Sequence, residues 1–339
     1  MSLYRKYRPQ NFADVIGQEK VVEVLEAIIK TDKIAHAYLF AGSRGTGKTS
    51  IARIFARAIG TAPSDLYEID AASNRGIDEV RELREAVRTL PFESKYKVYI
   101  IDEVHMLTTP AFNALLKTLE EPPPHVVFIL ATTEKHKLPE TIISRCQTYI
   151  FNRPSEVQVE QLLAHVIKEE GYKAEQGSLN FISMLSEGSF RDALTILEKC
   201  VAISKNKVVE LSEVEHVSGA PSSAITGELL QMLVLSDSKK ALQIIQKATE
   251  SNFDMKVFNK LLLRAARLSM LMLFAPDLKV KIKSELGEKE YMALEALSSS
   301  ESAKKLLNIL RALLRAYNEL GSAHVPSLPL ELAVIELCQ

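Results

Sequence analysis

Residues Gly42-Ser-Arg-Gly-Thr-Gly-Lys-Thr49 match G-x-x-x-x-G-K-[ST], a phosphate-binding loop that works only between a strand and a helix. Both flanks fit. Ala37 to Ala41 is a short apolar strand, and Ile51, Phe55, Ala58 and Ile59 mark a helix with one buried face. Backbone N–H groups freed by Gly42, Gly45 and Gly47 converge on phosphate oxygens in such a loop. Lys48 adds a point charge at the β- and γ-phosphates, and the Thr49 hydroxyl is a Mg²⁺ ligand. Ser43, Arg44, Thr46 and Ser50 belong to the same cradle. A glycine-rich turn matching by chance would have no reason to carry those flanks.

The other half of a triphosphate site follows downstream. Val98 to Ile101 is a continuous apolar run, as in a strand buried on both faces of a parallel sheet, and it ends in Asp102-Glu103. At the carboxyl edge of a strand, Asp102 can hold Mg²⁺ through its water shell while Glu103 polarises an attacking water. The plainer reading is two acids at the start of the next helix. His105 has no spaced metal-binding partner, which favours a structural hydrogen bond. Three more strands, Leu66 to Asp70, Val126 to Ala131 and Thr148 to Phe151, complete a five-stranded sheet. Helical patterns such as Phe112, Leu115, Leu116 and Leu119 lie between them.

A chain of 339 residues suggests two or three domains. With 47% hydrophobic and 25% charged residues it reads as globular, and no run approaches the ~18 apolar residues of a membrane span. No signal sequence opens it, so a cytoplasmic location and no membrane are expected. Cys146, Cys200 and Cys338 are scattered without C-x-x-C pairing, which argues against a disulfide scaffold and a zinc site. The net charge of −1 does not mark a general polyanion binder.

Past Phe151 the strands stop. Val159 to Ile167, Leu179 to Leu185 and Ala193 to Val201 read as short helices punctuated by Gly171 and Gly188. From about Leu211 every legible segment is helical, including Val257 to Phe274 and Ala303 to Leu320. Ser298 to Ser302 and Gly321 to Pro329 read as loops. The surplus of leucine is explained by burial or by packing against sister subunits.

Tyr4-Arg-Lys-Tyr-Arg-Pro9, Phe12-Ala-Asp-Val-Ile-Gly-Gln18, His36-Ala-Tyr-Leu-Phe40, Asp70-Ala-Ala-Ser73, Ile101-Asp-Glu-Val-His-Met-Leu107, Leu115-Leu-Lys-Thr-Leu-Glu-Glu-Pro122, Ala131-Thr-Thr-Glu134 and Ser144-Arg-Cys146 carry a specific resemblance. The chain resembles the gamma/tau subunits of bacterial DNA polymerase III, the ATPase motors of the replication clamp loader, an AAA+ assembly. The likeness is densest before residue 200. It implies an α/β fold: an AAA+ P-loop nucleotide domain with a five-stranded parallel sheet (1–152), a small helical lid domain (153–210) and an all-α collar domain for oligomerisation (211–339). It also implies ATP and Mg²⁺ as cofactors.

Carried over residue by residue, the resemblance puts Tyr7, Arg8, Val15 and Ile16 around the adenine. It makes Thr133 the γ-phosphate sensor and Arg145 an arginine finger reaching a neighbouring subunit's ATP. Arg191 in Gly188-Ser-Phe-Arg-Asp192 becomes the lid arginine. For both arginines the plain alternative is a surface salt bridge. The loop Asn74-Arg-Gly76 faces DNA in the family, so Asn74 and Arg75 are candidate phosphate contacts, unless Arg75 pairs with Asp78 or Glu79. The helix after it, Ile77 to Leu90, leads to Pro91-Phe92 on the side expected to meet the clamp.

One departure matters. Relatives usually carry a four-cysteine zinc module where Ala58-Ile-Gly-Thr-Ala-Pro-Ser-Asp65 passes straight through, so no zinc is expected. Nothing of the longer tau extension follows Gln339, which suggests a short natural form or a truncated chain. The partners implied are copies of itself, delta- and delta-prime-type subunits, the sliding clamp and primed DNA. Two rival readings are a Holliday-junction motor, which should end in a winged helix, and a non-catalytic delta-prime-like arm. The arm sits badly with an intact Gly47-Lys48-Thr49 and Asp102-Glu103.

Overall fold

Alternation along the strands decides how the first part of the chain folds. In the computed structural model, which describes residues 1–286, 288–298 and 305–338, Tyr38 and Phe40 join Val98, Ile100, Val127 and Ile129 in one core. Leu39, Tyr99, Ile101, Phe128 and Leu130 face a second core on the opposite side. A strand of period two that is apolar at every position must be covered on both faces. Five parallel strands result: β1 (Ala37–Gly42), β2 (Leu66–Asp70), β3 (Lys97–Asp102), β4 (Val126–Thr132) and β5 (Gln147–Phe151). Their order is β2-β3-β4-β1-β5. The register sets Ala41 beside Thr132 and Asp70 beside Asp102, so loop, acids and sensor strand end at one edge.

Helices cover the two faces. Lys48–Ala58 buries Ile51, Ala52, Phe55 and Ala56 against the first core. Ala58 is exposed, unlike Ile51, Phe55 and Ile59, which join that core as the sequence pattern suggests. On the other side Ile77–Val87 buries Val80, Leu83 and Val87, and Thr109–Glu120 buries Phe112, Leu115 and Leu119. The first of these stops three residues short of Leu90. Residues Met1–Val166 and Ser186–Thr195 form one compact unit.

Ile167–Leu185 and Ile196–Gln339 form a second unit. The expectation that strands stop at Phe151 needs correction: β6 (Lys173–Ala174) and β7 (Val208–Val209) pair in parallel. At two residues each they leave no periodic signal to read. The other described elements of this unit are helices, with a core built around Met255–Phe274, whose Phe258, Leu262 and Ala266 are fully buried. Leu306–Glu319 and Leu328–Cys338 contribute Ile309, Leu313, Leu330 and Val334 to that core. The expected loop Gly321 to Pro329 therefore ends earlier, because a helix begins at Leu328. The expected start of a helix at Ala303 and most of the expected loop Ser298 to Ser302 lie outside the described residues. Among the described residues no helix is long and apolar enough to cross a membrane.

Candidate active site

The chain leaves β1 at Gly42 and re-enters regular structure at Lys48, so the whole loop hangs between a buried strand and the first turn of a buried helix. Gly47, with φ +98°, flanks the helix start, in a backbone region that only glycine occupies cheaply. Gly45 needs its lack of a side chain twice over: φ is +74°, and a Cβ would collide with the Ser189 hydroxyl. Thr46 Oγ1 donates to the Ser43 carbonyl at 2.9 Å. The Lys48 ammonium donates to the carbonyls of Gly42 and Ser43 at 2.8 and 2.9 Å, tying the loop's first residues to the helix. Burial pushes the Lys48 pKa below its ordinary value, while the nearby Glu103 and Asp102 carboxylates pull it back up.

At the end of β3, Asp102 accepts a hydrogen bond from Thr49 Oγ1 at 2.7 Å, which joins the two residues expected at Mg²⁺. Glu103 takes φ +48°, a left-handed conformation that costs a non-glycine residue about 1 kcal/mol or more. That turn swings its carboxylate toward β4, where Oε2 accepts from Thr133 Oγ1 at 2.9 Å and from the Thr133 N–H at 3.2 Å. His105 makes the structural hydrogen bonds its sequence context suggests. Nδ1 lies 3.0 Å from Thr132 Oγ1, and Nε2 lies 3.1 Å from Glu134 Oε2.

A cavity of about 490 Å³ opens beside this edge. Its lining brings Tyr7, Arg8, Val15 and Ile16 together with Arg44 to Ser50, Asp102, Glu103 and Arg191. Burial, reinforced by the like charge of Arg53, lowers the Arg8 pKa from its ordinary value. Arg191 stands over the Tyr4 ring, 4.9 Å from its centroid. Tyr4 and Asp70 also line the cavity, and neither was singled out for a role from sequence. Each stands in a sequence motif, Tyr4 in Tyr4-Arg-Lys-Tyr-Arg-Pro9 and Asp70 in Asp70-Ala-Ala-Ser73, but Tyr4 meets Arg191 and Asp70 pairs with Asp102 only in the folded chain.

Three candidates lie elsewhere. Arg145 forms an ion pair with Glu120 at 2.7 Å and donates to the Thr141 carbonyl at 2.8 Å, so in the single chain it takes the plain role of a surface bridge. Arg75 Nε donates to the Ala72 carbonyl at 2.7 Å, and Asp78 pairs with Arg81 at 3.0 Å. Asn74 Nδ2 donates to the Asp70 carbonyl at 3.0 Å, which folds this loop back onto the end of β2.

A hydroxyl and a carboxylate 2.7 Å apart, both hard oxygen donors beside a phosphate-type loop, fit Mg²⁺, which takes one or two protein oxygens and completes its shell with phosphates and water. Among the described residues no group of three or more His, Cys, Asp or Glu is placed to hold a metal ion by itself. Burial raises the Cys146 thiol to about 12 and the Cys200 thiol to about 11. Both are protonated, poor ligands near neutral pH.

Sheet order, loop and paired acids define a P-loop nucleotide domain of the AAA+ class, and solved structures of Thermotoga maritima RuvB share its fold. One of them, described as a Holliday junction branch migration motor, has a TM-score of 0.54 at 19% identity, over 67% of this chain and 79% of that one. Residues 17–65 and 61–155 match a family described as DNA polymerase III, delta subunit. Residues 158–206 match the clamp loader subunit ATPase lid domain, and 209–339 match domain III of subunits gamma and tau. DNA polymerase III subunit tau of Bacillus subtilis is 38% identical over 100% of this chain and 63% of its own length. Subunit gamma of Buchnera aphidicola is 39% identical over 73% of this chain and 74% of its own. The chain belongs to the DNA polymerase III gamma/tau family. It spans 63% of the length of the Bacillus relative and 39% of the Mycoplasma pneumoniae gamma/tau protein.

Proposed function

We propose that the chain is an ATPase motor subunit of a bacterial replicative clamp loader, working in the cytoplasm. The observation that carries this is the pairing of Thr49 with Asp102 and of Glu103 with Thr133 at the edge of one cavity. Bound Mg²⁺ would neutralise charge on the triphosphate during transfer of the γ-phosphoryl group to water. Lys48 would exchange its carbonyl partners for phosphate oxygens, and the loop N–H groups would hold the rest. Tyr7, Arg8, Val15 and Ile16 would pack the base. Glu103 would orient the attacking water and take its proton, with Thr133 keeping the carboxylate turned toward the γ-position. Arg191 would close from the lid. Arg145 would leave Glu120 to reach the ATP of a neighbouring copy.

In this reading residues 1–152 are the nucleotide domain, 153–210 the lid and 211–339 the collar. The partners are copies of the chain, delta- and delta-prime-type subunits, the sliding clamp and primed DNA, contacted through Asn74 and Arg75. A Holliday-junction motor is disfavoured, because the described residues from Leu211 onward form helices and match a gamma/tau domain. ATP turnover is the test, measured in the assembled complex with clamp and primed DNA. Lys48→Ala is expected to lose nucleotide binding. Glu103→Gln should retain binding and lose about a thousandfold or more of turnover. Near wild-type hydrolysis by Glu103→Gln would sink the assignment of the base.

A further inference from the structure

Glu103 and Thr133 leave one neighbour unaccounted for. His105 follows β3 in a short turn, its side chain only 6% exposed, with polar groups at both ring nitrogens. Thr132 Oγ1 sits 3.0 Å from Nδ1 and Glu134 Oε2 sits 3.1 Å from Nε2. Glu103 Oε2, the oxygen held by Thr133, is 3.4 Å from Nδ1.

Hydrogen counting assigns the tautomer. Thr132 Oγ1 accepts the Glu134 N–H at 3.0 Å and keeps a hydrogen and a second lone pair for Nδ1, whereas the Glu134 carboxylate beside Nε2 can only accept. Nδ1 is then the acceptor, and Nε2 carries the hydrogen donated to Glu134. Glu134 stays anionic to receive it. The Lys137 ammonium, hydrogen-bonded at 2.9 Å, holds that carboxylate below the usual range against the opposing effect of desolvation.

The ring is thus fastened to Thr132 and Glu134, the residues on either side of Thr133. Its Nδ1 edge faces the Glu103 carboxylate without donating to it. The ring fills the space on that side of the carboxylate, 3.4 Å from Oε2, so it closes one direction of swing and leaves the Thr133 hydroxyl and N–H as Glu103's partners. We propose that His105 is a positioning residue: it braces Thr132 to Glu134 and keeps the Glu103 carboxylate on Thr133, aligned for water activation. This rests on the ATPase reading above.

The test uses the full chain in its assembled form. His105→Ala is expected to lower kcat by about tenfold or more, with KM and the Kd for a non-hydrolysable ATP analogue within about twofold of wild type. His105→Gln, whose amide nitrogen can still donate to Glu134, should recover most of that loss. His105→Ala combined with Glu134→Gln should be no slower than the slower single variant, because both break one brace. Independently, ¹⁵N spectra of labelled histidine, assigned by comparison with His105→Ala, should give the Nε2–H tautomer near neutral pH. An unchanged kcat in His105→Ala, a loss of nucleotide binding matching the loss of kcat, or an Nδ1–H tautomer would overturn the proposal. Were the wild type itself to show no turnover, the ATPase reading would fall and the tautomer alone would decide the brace.

Discussion

In the proposed reading Arg145 has two roles that conflict. Within its own chain one arm bonds Glu120 and the other the Thr141 carbonyl, with both ionic side chains partly exposed to water. An exposed pair of this kind is worth about 1 kcal/mol at most. A bidentate contact to a neighbour's phosphate in a water-poor cleft is stronger, so under that proposal the local pair would act as a holder that assembly can empty. Arg145→Ala is therefore expected to fold with stability within about 1 kcal/mol of wild type and to lose assembled turnover. Mixing Arg145→Ala with Lys48→Ala chains should restore part of that turnover by pairing an intact site with an intact arginine. Proven mixed oligomers without recovery would show that the arginine does not act in trans. Glu120→Gln, which removes the ionic partner but not the Thr141 carbonyl, should loosen the arginine and leave turnover undiminished.

One buried carboxylate sets the shape of a whole connection. Asp65 is 1% exposed and accepts the backbone N–H groups of Phe92, Glu93 and Ser94 at 2.6 to 2.9 Å. It thereby folds the segment that displays Leu90 and Phe92, which are 78% and 83% exposed. Burial alone would raise its pKa, but the N–H donors outweigh that and the net shift is downward. A depressed folded pKa contributes stability above the unfolded value of about 4, and that stability is lost as pH falls through the folded value. Asp65→Ala is expected to cost about 2 kcal/mol at pH 7, read from denaturant midpoints, and to flatten the stability loss below about pH 4. An acid limb identical to wild type would remove Asp65 from that role.

The three central strands were legible because Ala37 to Ala41, Val98 to Ile101 and Val126 to Ala131 are apolar at every position, a pattern that only two-sided burial produces. The loop and the acids were legible because their chemistry depends on spacing along the chain. Asp65's three donors, the Arg191 stack on Tyr4 and the Arg145 pair with Glu120 were not. Each joins residues at least 25 positions apart whose meeting depends on the finished fold.

At the scale of the molecule, the second unit carries a surface its own core does not use. Leu306, Ile309 and Leu313 point inward from one terminal helix, and Leu330, Ala333 and Val334 from the other. Leu307 and Leu314, seven residues apart, are about half exposed, and Leu328, Leu332 and Ile335 follow i, i+4, i+7 spacing with 40% to 53% exposure. Apolar stripes on two neighbouring helices suit a joint between subunits. Covering the exposed half of one such leucine contributes about 1 kcal/mol, and a charge buried there without a partner costs more, so two charges should weaken association by about two decades or more. Leu314→Glu with Leu332→Glu is expected to leave folding nearly unchanged, since both residues are exposed. The variant should sediment as a monomer where the wild type associates, bind ATP as well as wild type, and lose hydrolysis that needs a neighbour's Arg145. Sedimentation identical to wild type would place the joint on another face of the chain, and retained hydrolysis in a proven monomer would make each site self-sufficient.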